Sequence, residues 1–72
     1  MKISTVKELQ NYIRIVMLEN NTKISDLSQK MNIPRSTIDG RLNNPNVSMK
    51  LLLEICEALD ADLDITIIPR EH

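Results

Sequence analysis

A helical period of apolar residues runs through the middle of the chain and is interrupted once. The recurring apolar residues are Ile24, Leu27 and Met31 before the interruption, and Ile38 and Leu42 after it. Asn32 stands where the chain must reverse, and asparagine accepts the left-handed conformation that such a C-cap needs. Pro34 fixes φ at the start of a second helix, where its missing N–H costs nothing. The pattern predicts helices over about residues 24–31 and 34–42 joined by a tight turn, a helix-turn-helix arrangement.

Two further helices are predicted on either side of this pair. Thr5 and Glu8 have the T-x-x-E spacing of a capping box, which places the start of a helix over about residues 6–19. Ser48 is a suitable N-cap for a helix over about residues 49–59. Their predicted core residues are Val6, Leu9, Ile13, Val16 and Met17, and then Leu52, Ile55, Cys56 and Leu59.

The first of these helices carries more apolar residues than its core stripe uses. Tyr12, Ile15 and Leu18 lie outside the stripe, so the helix is either nearly enclosed or shared with another chain. Tyr12 is also the only aromatic residue, and we interpret it as half-buried packing. One aromatic ring does not provide a stacking platform for single-stranded nucleic acid.

A β-strand is predicted near the C-terminus. The run Ile65-Thr66-Ile67-Ile68 is rich in β-branched residues, and Pro69 ends it, so the strand covers about residues 63–68. A lone strand leaves its backbone groups unpaired, and Lys2-Ile3-Ser4 is a short partner. Pairing with the same strand of a second copy is the more economical solution. The predicted dimer interface consists of Leu63, Ile65, Thr66, Ile67 and Ile68.

Length and composition set the class of protein. With 72 residues the chain forms one domain whose core is small, so a second subunit is a natural source of extra stability. The single cysteine excludes an internal disulfide. No apolar run approaches the roughly 20 residues of a membrane span, and the N-terminus lacks the features of a signal peptide. We expect a soluble, cytoplasmic protein with no membrane partner.

The net charge of −1 conceals a strong segregation along the chain. Residues 22–50 carry five Lys/Arg against two Asp/Glu, whereas residues 51–72 carry one against six. The positive balance therefore falls on the predicted helix-turn-helix and the loop that follows it. This distribution supports a nucleic-acid-binding role for the middle of the chain, although ordinary solvated surface gives modest imbalances as well.

Catalytic, cofactor and metal sites are not indicated. Cys56 is predicted to be a small buried core residue, and His72 has no partner for a nucleophilic pair. Acids stand at calcium-loop positions 1, 3, 5 and 12 from Asp60 to Glu71, but Ile65 replaces the glycine that the turn requires. We expect no enzyme activity, no cofactor and no metal.

The chain resembles the Cro and phage-repressor (XRE-type) superfamily in two successive segments, TKISDLSQKMNIPRSTIDGRL and NNPNVSMKLLLEICEALDADL. The resemblance covers roughly residues 6–63. A strand after the last helix further resembles the HipB-like and HigA-like antitoxins, in which such strands pair across a dimer. The resemblance implies an all-α, lambda-repressor-like domain of four to five helices, with one C-terminal β-strand pairing across a homodimer.

The resemblance also implies where DNA is bound, since the start of the third helix reads base edges in this superfamily. Arg35 suits bidentate pairing to guanine, and Ser36 and Thr37 are shorter readers. Asp39 must face a base amine or pair with Arg35 or Arg41. The helical wheel places Gly40 and Asn43 toward solvent and Arg41 on a flank of the helix. Further candidate contacts, to phosphates, lie in the adjacent loop and the next helix: Asn44, Asn46 and Lys50.

Two positions depart from the superfamily pattern. Ile24 replaces a phosphate-binding glutamine, so Lys23 or nearby backbone N–H groups would have to take that contact. Gly40 in mid-helix costs about 1 kcal/mol relative to alanine. Either the backbone approaches a partner closely there, or the helix ends early at Asp39-Gly40.

The expected function is that of a homodimeric transcriptional repressor that binds double-stranded operator DNA in the major groove. The acidic C-terminal third keeps an alternative open, in which the same fold is a protein-interaction module. Such a module would be an antitoxin bound to its cognate toxin, or a phage-encoded inhibitor bound to another protein.

Overall fold

The computed structural model describes residues 5–64 and 67–70. Four α-helices account for the regular structure of these residues: α1 (Val6–Glu19), α2 (Ile24–Met31), α3 (Arg35–Asn43) and α4 (Met49–Ala58). The predicted all-α helix-turn-helix fold is confirmed, and no strand is present within the described residues. None of the described helices is long and apolar enough to cross a membrane.

The helix starts are fixed by side chains that satisfy free backbone N–H groups. Thr5 Oγ1 accepts a hydrogen bond from the Glu8 N–H at 3.2 Å, and Ser48 Oγ accepts one from Leu51 at 3.3 Å. At α2 the arrangement is reversed, because the Asp26 carboxylate accepts from the backbone N–H of Lys23 at 2.8 Å.

The turn between α2 and α3 is closed by backbone and side-chain bonds. Asn32 has φ 57° and ψ 45°, the left-handed conformation expected of it. Ser28 bonds across the turn twice: its carbonyl accepts from the Ile33 N–H at 3.2 Å, and its hydroxyl donates to the Ile33 carbonyl at 2.6 Å. These contacts hold the angle between the two helices.

Helix α3 begins one residue later and ends one residue later than the sequence pattern suggests. Pro34 is its extended N-cap, and the Pro34 carbonyl accepts the first helical bonds from Thr37 and Ile38. The helix then continues through Gly40 to Asn43, so the alternative in which it ends at Asp39-Gly40 is wrong. The Asn44 N–H donates to the Gly40 carbonyl at 2.9 Å, which shows that glycine does not interrupt the hydrogen-bond ladder.

All four helices and the residue that ends α4 supply one core. Its buried members are Leu9, Ile13, Met17, Leu27, Ile38, Leu42, Leu52, Ile55, Cys56 and Leu59. Burying a side chain of this size contributes about 1.5–3 kcal/mol relative to leaving it exposed. Because α3 directs Ile38 and Leu42 into this core, its opposite face is turned to solvent.

Large apolar side chains of the described residues remain exposed on α1, on α4 (Met49 and Leu53) and near the C-terminus. Tyr12, Ile15 and Leu18 are 36, 44 and 79% exposed, so α1 is not enclosed by its own chain. Near the C-terminus, Ile67 and Ile68 are 89 and 76% exposed and have no regular secondary structure. Ile65 and Thr66 lie outside the described residues, and the cross-subunit strand stays a prediction.

Candidate nucleic-acid interface

The exposed face of α3 is polar along its whole length. Ile38 and Leu42 are 0 and 3% exposed, and they define the inner side of the helix. The predicted contact residues that the structure places on its exposed surface are Arg35, Ser36, Thr37, Asp39, Gly40 and Asn43. A helix with this division of residues has one side available for a partner and one side fixed by the core.

Arg41 differs from the other predicted contact residues of α3. Its guanidinium Nη1 lies 3.2 Å from Glu54 Oε1 on α4, and the Arg41 side chain is only 14% exposed. Of the two alternatives for Asp39, the pairing with Arg35 or Arg41 is not observed, since Asp39 has no ion pair within the described residues. Arg41 therefore contacts α4, whereas Asp39 remains on the outer surface.

The loop after α3 places several amides beside that surface. Asn44 Oδ1 accepts from the Asn46 N–H at 2.9 Å, and the Asn44 carbonyl accepts from Val47 at 3.1 Å. Lys50 is exposed in the first turn of α4. At the other edge, Lys23 is exposed as the N-cap of α2, while its backbone N–H is occupied by Asp26. Its ammonium group, rather than this N–H, is free to contact a phosphate.

Gln10 is the one buried polar residue of the described chain, and no role was predicted for it from the sequence. Its Nε2 donates to the carbonyl oxygens of Arg41 and Asn44 at 2.9 and 2.7 Å. These are carbonyls at the end of α3, where helical partners are absent. The signal was available in the sequence, because Gln10 shares the helical register of Ile13 and Met17 and is the polar member of an apolar stripe.

Arg14 forms a second connection between α1 and the end of α3. Its Nη2 donates to Asn43 Oδ1 at 2.6 Å and lies 3.5 Å from the Leu42 carbonyl oxygen. A cation at a helix C-terminus is favoured by the helix dipole and by the unsatisfied carbonyls there. Gln10 and Arg14 together fix the position of the C-terminal half of α3 relative to α1.

Comparison with known proteins identifies the family to which this helix-turn-helix belongs. Residues 12–64 match the Cro/C1-type HTH DNA-binding domain. The chain belongs to this family. The predicted resemblance to Cro-like regulators is thereby confirmed, and the protein is a DNA-binding regulator of the Cro/C1 type. No curated protein matches the sequence.

Solved structures agree with the family match. A HipB-O1-O2 complex has 25% sequence identity and a TM-score of 0.82, covering 93% of this chain and 99% of that one. A HipA-HipB-O2-O3 complex has 26% identity and a TM-score of 0.82, covering 96 and 99%. A structure described as MDT Protein is similar to the same degree, with 26% identity, a TM-score of 0.82 and the same coverage. The fold of this Cro/C1-type chain is thus HipB-like over nearly its whole length.

The cysteine of this Cro/C1-type domain lies in its core. Cys56 is buried, and desolvation raises the pKa of its thiol, a backbone hydrogen bond opposing this to a smaller extent. A raised pKa keeps the sulfur in the weakly nucleophilic thiol form. The described residues also contain no group of three or more potential metal ligands.

Proposed function

We propose that the protein is a homodimeric repressor that inserts α3 into the major groove of double-stranded operator DNA. The observation that carries this proposal is the exposed polar face of α3, which is opposite Ile38 and Leu42 and begins with a free arginine. The surrounding residues 22–50 hold five Lys/Arg against two Asp/Glu, so this part of the chain attracts the phosphate backbone.

Base reading is assigned to the N-terminal half of α3. Arg35 is exposed and has no ion pair within the described residues, so its guanidinium can donate two bonds to guanine O6 and N7. Ser36 and Thr37 reach bases only where the helix is close to the groove floor. Asp39 faces a base amine such as cytosine N4, because a carboxylate beside a phosphate would be repelled.

Phosphate contacts are assigned to the residues around this reading surface. The exposed side chains that serve this purpose are Lys23, Asn43, Asn44, Asn46 and Lys50. Such contacts fix the register of the protein on DNA without reading sequence. Arg41 supports the interface indirectly, since its pairing with Glu54 holds α3 against α4.

The homodimer is proposed to form through Leu63, Ile65, Thr66, Ile67 and Ile68. The exposure of Ile67 and Ile68, at 89 and 76%, supports this assignment because a second copy would cover them. Two recognition helices must enter successive major grooves about 34 Å apart, which one subunit cannot do.

A second candidate function is binding to a protein partner such as a cognate toxin. One similar structure is described as a complex that contains HipA together with HipB. Glu57, Asp60, Asp62 and Asp64 form an exposed acidic set after the basic helix-turn-helix. This set is suited to a basic surface on a protein, and it does not exclude DNA binding by α3.

A salt series of electrophoretic shifts on the DNA upstream of the protein's own gene tests the first function. With roughly three phosphate contacts per subunit, the slope of log affinity against log salt should be about −5. Unrelated duplexes should bind more weakly with a similar slope. A slope near zero on all duplexes would contradict DNA binding and leave the protein-partner function.

A further inference from the structure

A cleft lies between the first half of α1 and the end of α3. It has a volume of about 270 Å³ and is lined by Lys7, Gln10, Asn11, Arg14, Leu42, Asn43 and Pro45. Of the described residues that line it, two are cationic, three carry amides and none is acidic. Lys7 and Arg14 are two helical turns apart on α1, so their charges are directed to the same side of that helix.

Gln10 offers no free amide donor to this cleft, because its Nε2 already donates to two backbone carbonyls. The donors that remain include those of Lys7, Arg14 and Asn43. Asn43 Oδ1 accepts from Arg14 Nη2 at 2.6 Å, which leaves the Asn43 amide N–H groups directed away from the arginine. Both contacts of Arg14 use Nη2, so the donors on Nη1 and Nε are not used by them. Lys7 is exposed, and its ammonium group provides three further donors.

The position of the cleft relates it to DNA. Asn43 lines the cleft and is also the last residue of the exposed face of α3. A duplex that lies along this face therefore passes the mouth of the cleft at the C-terminal end of the helix. The C-terminal end of α3 carries partial negative charge, which the cations Lys7 and Arg14 offset, and no carboxylate lines the cleft. The cleft is therefore suited to a phosphate oxygen.

We propose that this cleft binds one phosphate of the DNA backbone and extends the DNA contact to α1 through Lys7, Arg14 and Asn43. The inference rests on the proposed DNA-binding function, and it adds a contact outside the helix-turn-helix. In a dimer the contact occurs twice, once in each half-site.

The test is the salt slope of Lys7→Ala on a duplex of roughly three helical turns. Loss of one phosphate contact per subunit should make the slope less steep by roughly 2 and weaken specific and non-specific duplexes alike. Lys7→Arg should restore the slope, because it keeps the charge. Lys30→Ala is the matched control, since Lys30 is on α2 and pairs with Asp60 at 3.6 Å.

A second measurement locates the phosphate. Replacing single phosphates of the duplex by uncharged methylphosphonates should reveal one position per half-site at which Lys7→Ala causes no further loss of affinity. Equal slopes for the wild type and Lys7→Ala, with a steep wild-type slope, would overturn the cleft contact and leave DNA binding intact. A wild-type slope near zero would instead overturn the proposed function and this inference together.

Discussion

The helix-turn-helix and the C-terminal segment differ in how much of their apolar surface is buried within the single chain. From α2 to α3, the apolar residues Leu27, Ile38 and Leu42 are at most 3% exposed, and the turn is closed by hydrogen bonds. After α4, Ile67 and Ile68 are largely exposed and irregular. The difference indicates that the helix-turn-helix buries its apolar residues within one chain, whereas the described C-terminal segment leaves Ile67 and Ile68 uncovered, as the proposed dimer would require.

The exposed C-terminal segment begins after a well-defined end of α4. Asp60 has φ 55°, and the Ala61 N–H donates to the Cys56 carbonyl at 2.9 Å, which is the bonding pattern of a Schellman motif. Ala61 and Leu63 still pack against the core as partly buried residues. The chain is thus anchored as far as Leu63, and the exposed Ile67 and Ile68 beyond it are available to a partner.

The largest effect is expected from Thr66→Pro, which removes a backbone donor from the centre of the predicted strand. Loss of the dimer uncouples the two half-sites, and operator affinity should fall roughly 10²- to 10⁴-fold. Sedimentation should report a monomer, and circular dichroism should report an unchanged helix content.

Thr66→Ala is the matched control because it retains the N–H group. If Thr66→Pro still sediments as a dimer, the strand is not the interface. The exposed face of α1 with Tyr12, Ile15 and Leu18 would then be the leading candidate.

The next largest effect is expected from Gln10, whose hydrogen bonds join α1 to the end of α3. Gln10→Leu keeps the volume of the side chain and removes the donor to the carbonyls of Arg41 and Asn44. The Asn44 carbonyl keeps its bond from Val47, whereas the Arg41 carbonyl loses the donor of Gln10. Since a carbonyl left without a partner costs roughly 1–3 kcal/mol, the free energy of unfolding in urea should fall by about 2 kcal/mol. Gln29→Ala, at an exposed position of α2, should change it by less than about 0.5 kcal/mol. An unaffected Gln10→Leu would show that water replaces the amide.

The same division explains what could be predicted from the sequence. Helix caps such as Thr5 and Ser48 and the left-handed Asn32 are local signals, and each depends on residues within a few positions. Gln10 and the Arg41–Glu54 pair depend on contacts between helices distant in sequence. A helical wheel places Arg41 on a flank but does not show that Glu54 lies opposite, so the pairing of Arg41 with α4 was not predicted.

A smaller effect distinguishes base reading from phosphate contact within α3 and α4. Arg35→Ala should weaken operator binding by about 1–3 kcal/mol and relax preference at one base pair of each half-site. Lys50→Ala should weaken all duplexes to the same extent and make the salt slope less steep. Binding selections with randomised half-sites measure the base preference, and salt series on single duplexes measure the affinities and the slope. An equal loss on specific and non-specific DNA for Arg35→Ala would identify it as a phosphate contact.

The smallest effect is expected at Gly40, where a substitution tests whether the backbone of α3 closely approaches DNA. A Cβ added at Gly40 meets nothing within 4 Å, and the residue lies inside α3. Gly40→Ala should therefore raise the free energy of unfolding by about 1 kcal/mol, because alanine favours the helix. If the helix backbone approaches DNA closely at this point, the added methyl group should lower operator affinity while stability rises. A variant that is more stable and binds DNA unchanged would show that the glycine serves no close approach.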